Sequence, residues 1–331
     1  MTRPLLRIEF DTQQLVDRYP PVWRHRNKQL VYEIACPPGC AHGGRITFSR
    51  WVAMALPERV DVSQAVELVD GRQDHYDYAP AAPAEAVEWH VDFADPRLFV
   101  AYGSPLFAQD EMQVAEHPAL GSLKEALEAG GQTALTVESG RPTPVLVMGV
   151  ERRCRVECDR DADQDRPHGL YGNAFARAPE SAVRRATRPI HPPGITNLIA
   201  MAAPYGGFGL YKTSEIQYAL TTAFTGFRAA RLESELLGGP GVPVIVHTGF
   251  WGCGAFGGNR VLMAMLQVLA AGMAGSNKLV FHCFNGDGMR ALEEAQSLLL
   301  ALTARGTAGI TEHLVQKVSG MRFRWGASDG N

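Results

Sequence analysis

His247-Thr-Gly-Phe-Trp-Gly-Cys-Gly-Ala-Phe-Gly-Gly258 decides the reading of the fold. Gly249, Gly252, Gly254, Gly257 and Gly258 crowd one connection between an apolar run, Val242 to Val246, and a helical pattern, Asn259 to Gly272. A plain strand-to-helix turn needs one or two glycines. Several in succession leave backbone amides unencumbered, and a helix N-terminus adds favourable partial charge, so the pattern points to a phosphate cradle. Trp251 and Phe256 offer flat surfaces beside it.

Outward from that loop, strands and helices alternate. Strand patterns cover Val87 to Phe93, Pro144 to Val150, Ile195 to Ala203 and Lys278 to Phe284. Helical patterns cover Gln109 to Ala129 (broken at Pro118), Ser214 to Leu237, and the stretch carrying Leu292, Ala295, Leu299 and Leu302. Asp61 is placed to cap a short helix through Val69. Asp159 to Arg188 is highly charged and reads as a surface excursion. The alternation predicts an α/β layered fold with a mostly parallel or mixed sheet, in which ligands bind beyond the carboxyl ends of strands. A second glycine cluster, Gly206, Gly207 and Gly209, also follows a predicted strand, with Tyr205 and Phe208 beside it. Ala79 to Pro83 reads as a linker and candidate boundary, after a first stretch that mixes short helical patterns with turns.

Composition narrows the function. Thirty-two basic against 35 acidic residues give a net charge of −3, which argues against bulk DNA binding. No apolar run approaches a membrane span, and the first residues lack the apolar core of a signal peptide, so a cytoplasmic location is expected. Metalloprotease, nucleophile-elbow, P-loop and dinucleotide-binding motifs are all missing. Cys36/Cys40 and Cys154/Cys158 form two C-x3-C pairs that could supply four thiolates to zinc, but the prolines after Cys36 fit an ordinary turn with free thiols, which is the favoured reading. His247 ends a strand and reads as a satisfied hydrogen-bonding residue.

Trp251-Gly-Cys-Gly-Ala-Phe-Gly-Gly258 resembles the diphosphate-binding loop of the poly(ADP-ribose) glycohydrolases, which are macrodomain proteins. Val91-Asp-Phe-Ala-Asp95 resembles that family's Val-Asp-Phe-Ala-Asn, and Gln109-Asp110-Glu111 stands in the place of its catalytic Gln-Glu-Glu. Ala223 to Phe227 resembles a helical segment of the family. The likeness spans roughly residues 85–290 and implies a macrodomain-like α/β/α three-layer fold with a mixed sheet over residues 81–331, with residues 1–80 in the place of the family's mainly helical accessory region. Two positions depart from it: Tyr102-Gly-Ser-Pro105 replaces three consecutive glycines, and Asp110 replaces a glutamate.

The resemblance implies a glycohydrolase that cleaves the O-glycosidic ribose bond of ADP-ribose polymers or of ADP-ribosylated protein or nucleic acid, without a cofactor. It implies that Glu111 is general acid and then base, Asp110 holds a ribose hydroxyl, and Gln109 orients the acidic pair. The diphosphate would rest on amides of Gly254, Ala255, Phe256, Gly257 and Gly258, with Phe256 against ribose. Asp95 would contact a ribose hydroxyl, Gly103 would line the loop before the acidic motif, and Tyr171 is nearest to the family's stacking tyrosine. Glu88 would accept from the adenine amine, and Phe284 would stack near the ring. A non-catalytic ADP-ribose-binding module, or hydrolysis of another nucleotide-sugar bond, are the alternatives. Without the family, two acids opening a helix would be read as an exposed N-terminus.

Overall fold

The computed structural model describes residues 3–76, 78–80, 85–303 and 309–330. The first 80 residues hold β1 (Leu6–Asp11), α1 (Thr12–Arg18), α2 (Arg26–Ala35), β2 (Arg45–Arg50), β3 (Arg59–Val60), α3 (Val62–Glu67) and β4 (Val69–Arg72). The middle holds β5 (Val87–Phe93), α4 (Gln109–Glu116), α5 (Ala119–Ala129), β6 (Val137–Glu138), β7 (Arg141–Pro142), β8 (Val145–Val156), α6 (Ala174–Arg177), α7 (Glu180–Ala186) and β9 (Thr187–Met201). Then come α8 (Thr213–Gly238), β10 (Val244–Thr248), α9 (Arg260–Ala274), β11 (Lys278–His282), α10 (Gly286–Leu302), β12 (Gly309–Ile310) and α11 (Thr311–Gly320).

One eight-stranded sheet runs in the order β1-β2-β8-β9-β5-β10-β11-β4. Its first half is antiparallel, and from β9 onward neighbours are parallel, so the predicted mixed sheet is what the chain builds. Side chains alternate across it with period two. On β8 and β9, Leu146, Met148, Ile199 and Met201 enter a core with α8 and α9, whereas Val145, Val147, Leu198 and Ala200 enter a second core with α1 and α5. Helix starts follow side-chain caps: Asp61 Oδ1 accepts from Gln64 N (3.0 Å) and Asn259 Oδ1 from Leu262 N (3.1 Å).

Two expectations need correction. Residues 1–80 are not a helical annex, because β1, β2 and β4 are strands of the main sheet. The expected linker hid this, since edge strands this short carry little periodic signal; part of it, 81–83, lies outside the described residues. Nor is 159–188 a bare surface loop. Leu170, Phe175, Val183 and Ala186 form a third core with Leu30 and Val31 of α2, their spacing masked in the sequence by the charges between them.

Candidate active site

The site is built from the polar face of β5. Val87-Glu-Trp-His-Val-Asp-Phe93 sends Trp89 and Val91 into the α8/α9 core, so Glu88, His90 and Asp92 face the other way. His247 of β10 and His282 of β11 share that face. The His90 and His247 rings stack at 4.3 Å, and His247 Nδ1 lies 3.2 Å from His282 Nε2. His282 Nδ1 meets Asp74 Oδ1 at 2.6 Å. Burial, then the neighbouring imidazoles, hold His90 well below the usual histidine range, so it is neutral at physiological pH. His247, with both ring nitrogens engaged, is a hydrogen-bonding residue.

Beyond the carboxyl end of β5, Gln109 fixes the start of α4. Its Oε1 accepts from Phe93 N (2.8 Å) and its Nε2 donates to Val91 O (3.1 Å). The reading of Gln-Asp-Glu as an exposed helix start fails on burial: Asp110 is 7% exposed and Glu111 4%. Glu111 Oε2 accepts from Ala108 N at 3.0 Å, which sets its carboxyl across the first turn. Burial pushes Glu111 up from the usual carboxylate range, opposed mainly by the Lys28 ammonium and by backbone hydrogen bonds. Asp110 is raised well above that range by burial and then by Asp92 and Glu111, and Asp92 is raised likewise by burial and Glu111. Asp110 Oδ1 and both Asp92 oxygens have no partner among the described residues.

Lys28 is the counter-charge. Fully buried on α2, it donates from Nζ to Tyr102 O (2.6 Å), and burial pushes it down to about 8 against the opposing pull of Glu111 and Asp110.

Gln109, Asp110 and Glu111 open onto a cavity of about 930 Å³. Asp95, Tyr171 and Phe284 also line it, as do Gly254, Ala255, Phe256 and Gly258. The glycine loop is tightly folded on itself: Gly257 N donates to Gly254 O (3.0 Å) and Gly258 N to Gly252 O (2.8 Å). The amides of Gly254, Ala255 and Phe256 have no partner among the described residues. They form three successive free donors, in the manner of an anion nest. Gly252, at φ +75°, would place a Cβ 2.4 Å from Ala203 Cβ. Gly252→Ala should therefore lose about 1–3 kcal/mol of stability from left-handed strain and overpacking. Calorimetric melting checks this effect.

Some expected site residues stand elsewhere. Glu88 lies outside the cavity walls and meets His247 Nε2 at 2.7 Å, because it sits near the amino end of β5. Gly103 is buried against the segment before α2, where a Cβ would lie 2.4 Å from Val22 O, and its carbonyl accepts from Arg24 N and His25 N. The amides of Gly257 and Gly258 are spent inside the loop. Gly257 is also covered by residues 326–328 and does not line the cavity. Gly207 faces the Trp325 ring, and Gly209 O accepts from Trp325 N, so the second glycine cluster seats an aromatic side chain. Tyr205 and Phe208 are exposed and line no part of the cavity.

Other residues escaped the sequence reading. Lys28 sits in a polar run, Arg26-Asn-Lys-Gln29, that resembles any surface turn. Asp92 was signalled by the alternation within β5. Arg260, the first residue of α9, lines the cavity beside the glycine loop and makes no ion pair among the described residues; its position next to the last glycine was the available sign.

Residues 171–291 match the model of the family described as poly(ADP-ribose) glycohydrolase, macro domain fold. Over that stretch the chain resembles the poly(ADP-ribose) glycohydrolase family. Similar solved structures include the poly(ADP-ribose) glycohydrolase of Thermomonospora curvata bound to the inhibitor ADP-HPD, at 15% identity and a TM-score of 0.49, covering 82% of this chain and 99% of that one. The Deinococcus radiodurans poly(ADP-ribose) glycohydrolase in complex with ADP-ribose matches at 15% identity and a TM-score of 0.41, covering 72% and 90%. The family's matched stretch begins at Tyr171 on the cavity wall and includes the glycine loop; the acidic turn of α4 lies before it. No helix among the described residues is long and apolar enough to cross a membrane.

Proposed function

We propose that this protein hydrolyses the O-glycosidic bond at the ribose of ADP-ribosyl groups, held either in polymers or singly on a protein or nucleic acid. What carries the reading is one cavity lined both by the buried carboxyls of Asp110 and Glu111 and by three free amides and Arg260. The diphosphate rests on the amides of Gly254, Ala255 and Phe256, with Arg260 adding charge. Phe256 packs against the ribose, Asp95 and Asp110 meet ribose hydroxyls, and Tyr171 and Phe284 bound the adenine.

Glu111, pushed toward its protonated form by burial, gives its proton to the leaving oxygen as the C1″–O bond of the distal ribose breaks and oxocarbenium character develops. The resulting carboxylate takes a proton from water, which adds to C1″ and leaves free ADP-ribose. Asp92 and Asp110 are both raised well above the usual carboxylate range, which favours Glu111 as the group that ionises, with Lys28 stabilising its charge.

The test is release of ADP-ribose from an automodified polymerase, from singly modified proteins and from modified nucleic-acid ends. Release from at least one is expected. No release from any, with ADP-ribose still binding, would leave a binding module in place of an enzyme.

A further inference from the structure

Cys36-Pro-Pro-Gly-Cys40-Ala-His42 lies between α2 and β2, and nothing in the glycohydrolase reading uses it. Cys36 caps α2, its N–H donating to Tyr32 O. Cys40 N then donates to Pro37 O at 3.0 Å, with Pro38 second and Gly39 third at φ +82°. This is the pattern of a type II turn, in which proline presets the second position and glycine accepts the positive φ of the third. The turn folds Cys40 back over Cys36. The two Sγ atoms and a ring nitrogen of His42 all lie within 4.8 Å of one another. Tetrahedral zinc with Zn–S near 2.3 Å needs thiolates roughly 3.8 Å apart, which this spacing accommodates.

The surroundings are those of a metal ligand set. His42 Nδ1 meets Glu151 Oε2 at 3.1 Å, which fixes the ring and leaves Nε2 as the lone pair for a metal. Glu151 Oε1 also accepts from Gly43 N (3.0 Å), and its Oε2 from Arg153 Nη2 (2.6 Å). Arg153 in turn holds Ala41 O. Gln13 Oε1 accepts from His42 N at 2.7 Å. Three elements thus hold the loop, and Glu151 and Arg153 balance each other's charge. Two thiolates would then neutralise one divalent cation. Cys154 and Cys158 stand apart from this group, with their thiols toward Ala115 O and Val156 O.

We infer that Cys36, Cys40 and His42 form a zinc site, oriented by Glu151, with a fourth position open to water. Two sulfurs and an imidazole select zinc over hard cations. Among the described residues no further cysteine, histidine or carboxylate joins the ligand group. The ion ties the end of α2 to the loop that Glu151 and Arg153 hold on β8.

The full chain, purified under reducing conditions, should retain one equivalent of zinc by elemental analysis. Replacement with Co(II) alone should give a thiolate-to-metal charge-transfer band. Cys36→Ser with Cys40→Ser should abolish both, and Cys154→Ser should leave both intact. Glu151→Gln should weaken affinity about 10–100-fold. Should the double variant fail to fold, the unaltered protein still decides: zinc should protect Cys36 and Cys40, and not Cys158, from alkylation read by mass spectrometry. Substoichiometric metal, a cobalt adduct without the thiolate band, metal kept by the folded double variant, or a Cys36–Cys40 disulfide in place of metal would each overturn the site.

Discussion

Glu111→Gln is expected to lower ADP-ribose release by roughly 10²–10⁴-fold while ADP-ribose affinity is kept. The amide has the shape of the acid and can still accept from Ala108 N through its oxygen, so the first turn of α4 survives. What it cannot do is surrender a proton to the leaving oxygen. The loss should fall on kcat rather than KM, because the missing interaction is made only as the bond breaks. Steady-state release with isothermal titration of ADP-ribose separates these effects. A variant retaining more than a tenth of the rate would remove Glu111 from the role of acid.

Lys28→Met is the second large effect, and its readout is a pH profile. The Lys28 ammonium stabilises the Glu111 carboxylate and so opposes the upward push of burial. Activity needs the protonated acid and falls as pH rises through its pKa. Removing the cation keeps Glu111 protonated to higher pH, so the falling limb of kcat/KM should move upward. Lys28→Arg should leave it nearer its original place. Melting temperature is a poorer measure here. Leaving Tyr102 O unpaired costs about 1–3 kcal/mol, whereas relieving a buried ammonium offsets part of that. An unmoved limb would make Lys28 a residue of packing alone.

Much of the parallel half of the sheet was legible, because β5 alternates apolar and polar residues, β10 and β11 are short and largely apolar, and α8 to α10 carry strong helical spacing. The glycine loop was legible as a glycine-crowded strand-to-helix connection, but not the division of labour inside it. Density of glycines cannot tell amides that close the loop (257 and 258) from those left free (254 to 256). Residues joined only by the tertiary fold left no local sign. Lys28 and Glu111 are separated by more than eighty positions, and their partnership exists because the core around Leu30, Val31 and Phe107 brings α2 beside α4. Glu88 shows the converse: a strand alternation gives the face on which a side chain stands but not which end of the strand meets the ligand.

The strand order also has a bearing on how the chain reaches this state. β4 and β5 come early in the sequence, yet each has a parallel neighbour, β11 and β10, that begins more than 150 residues later. Neither contact is available until most of the chain is present, and the closure entropy of those long loops precedes any gain from pairing. The antiparallel half is different: β8 and β9 run back upon each other through a single excursion, so it can form without the late strands. Assembly is thus asymmetric. The polar face that bears Asp92 and the histidines is completed last, and chaperone demand should peak while β5 waits for β10.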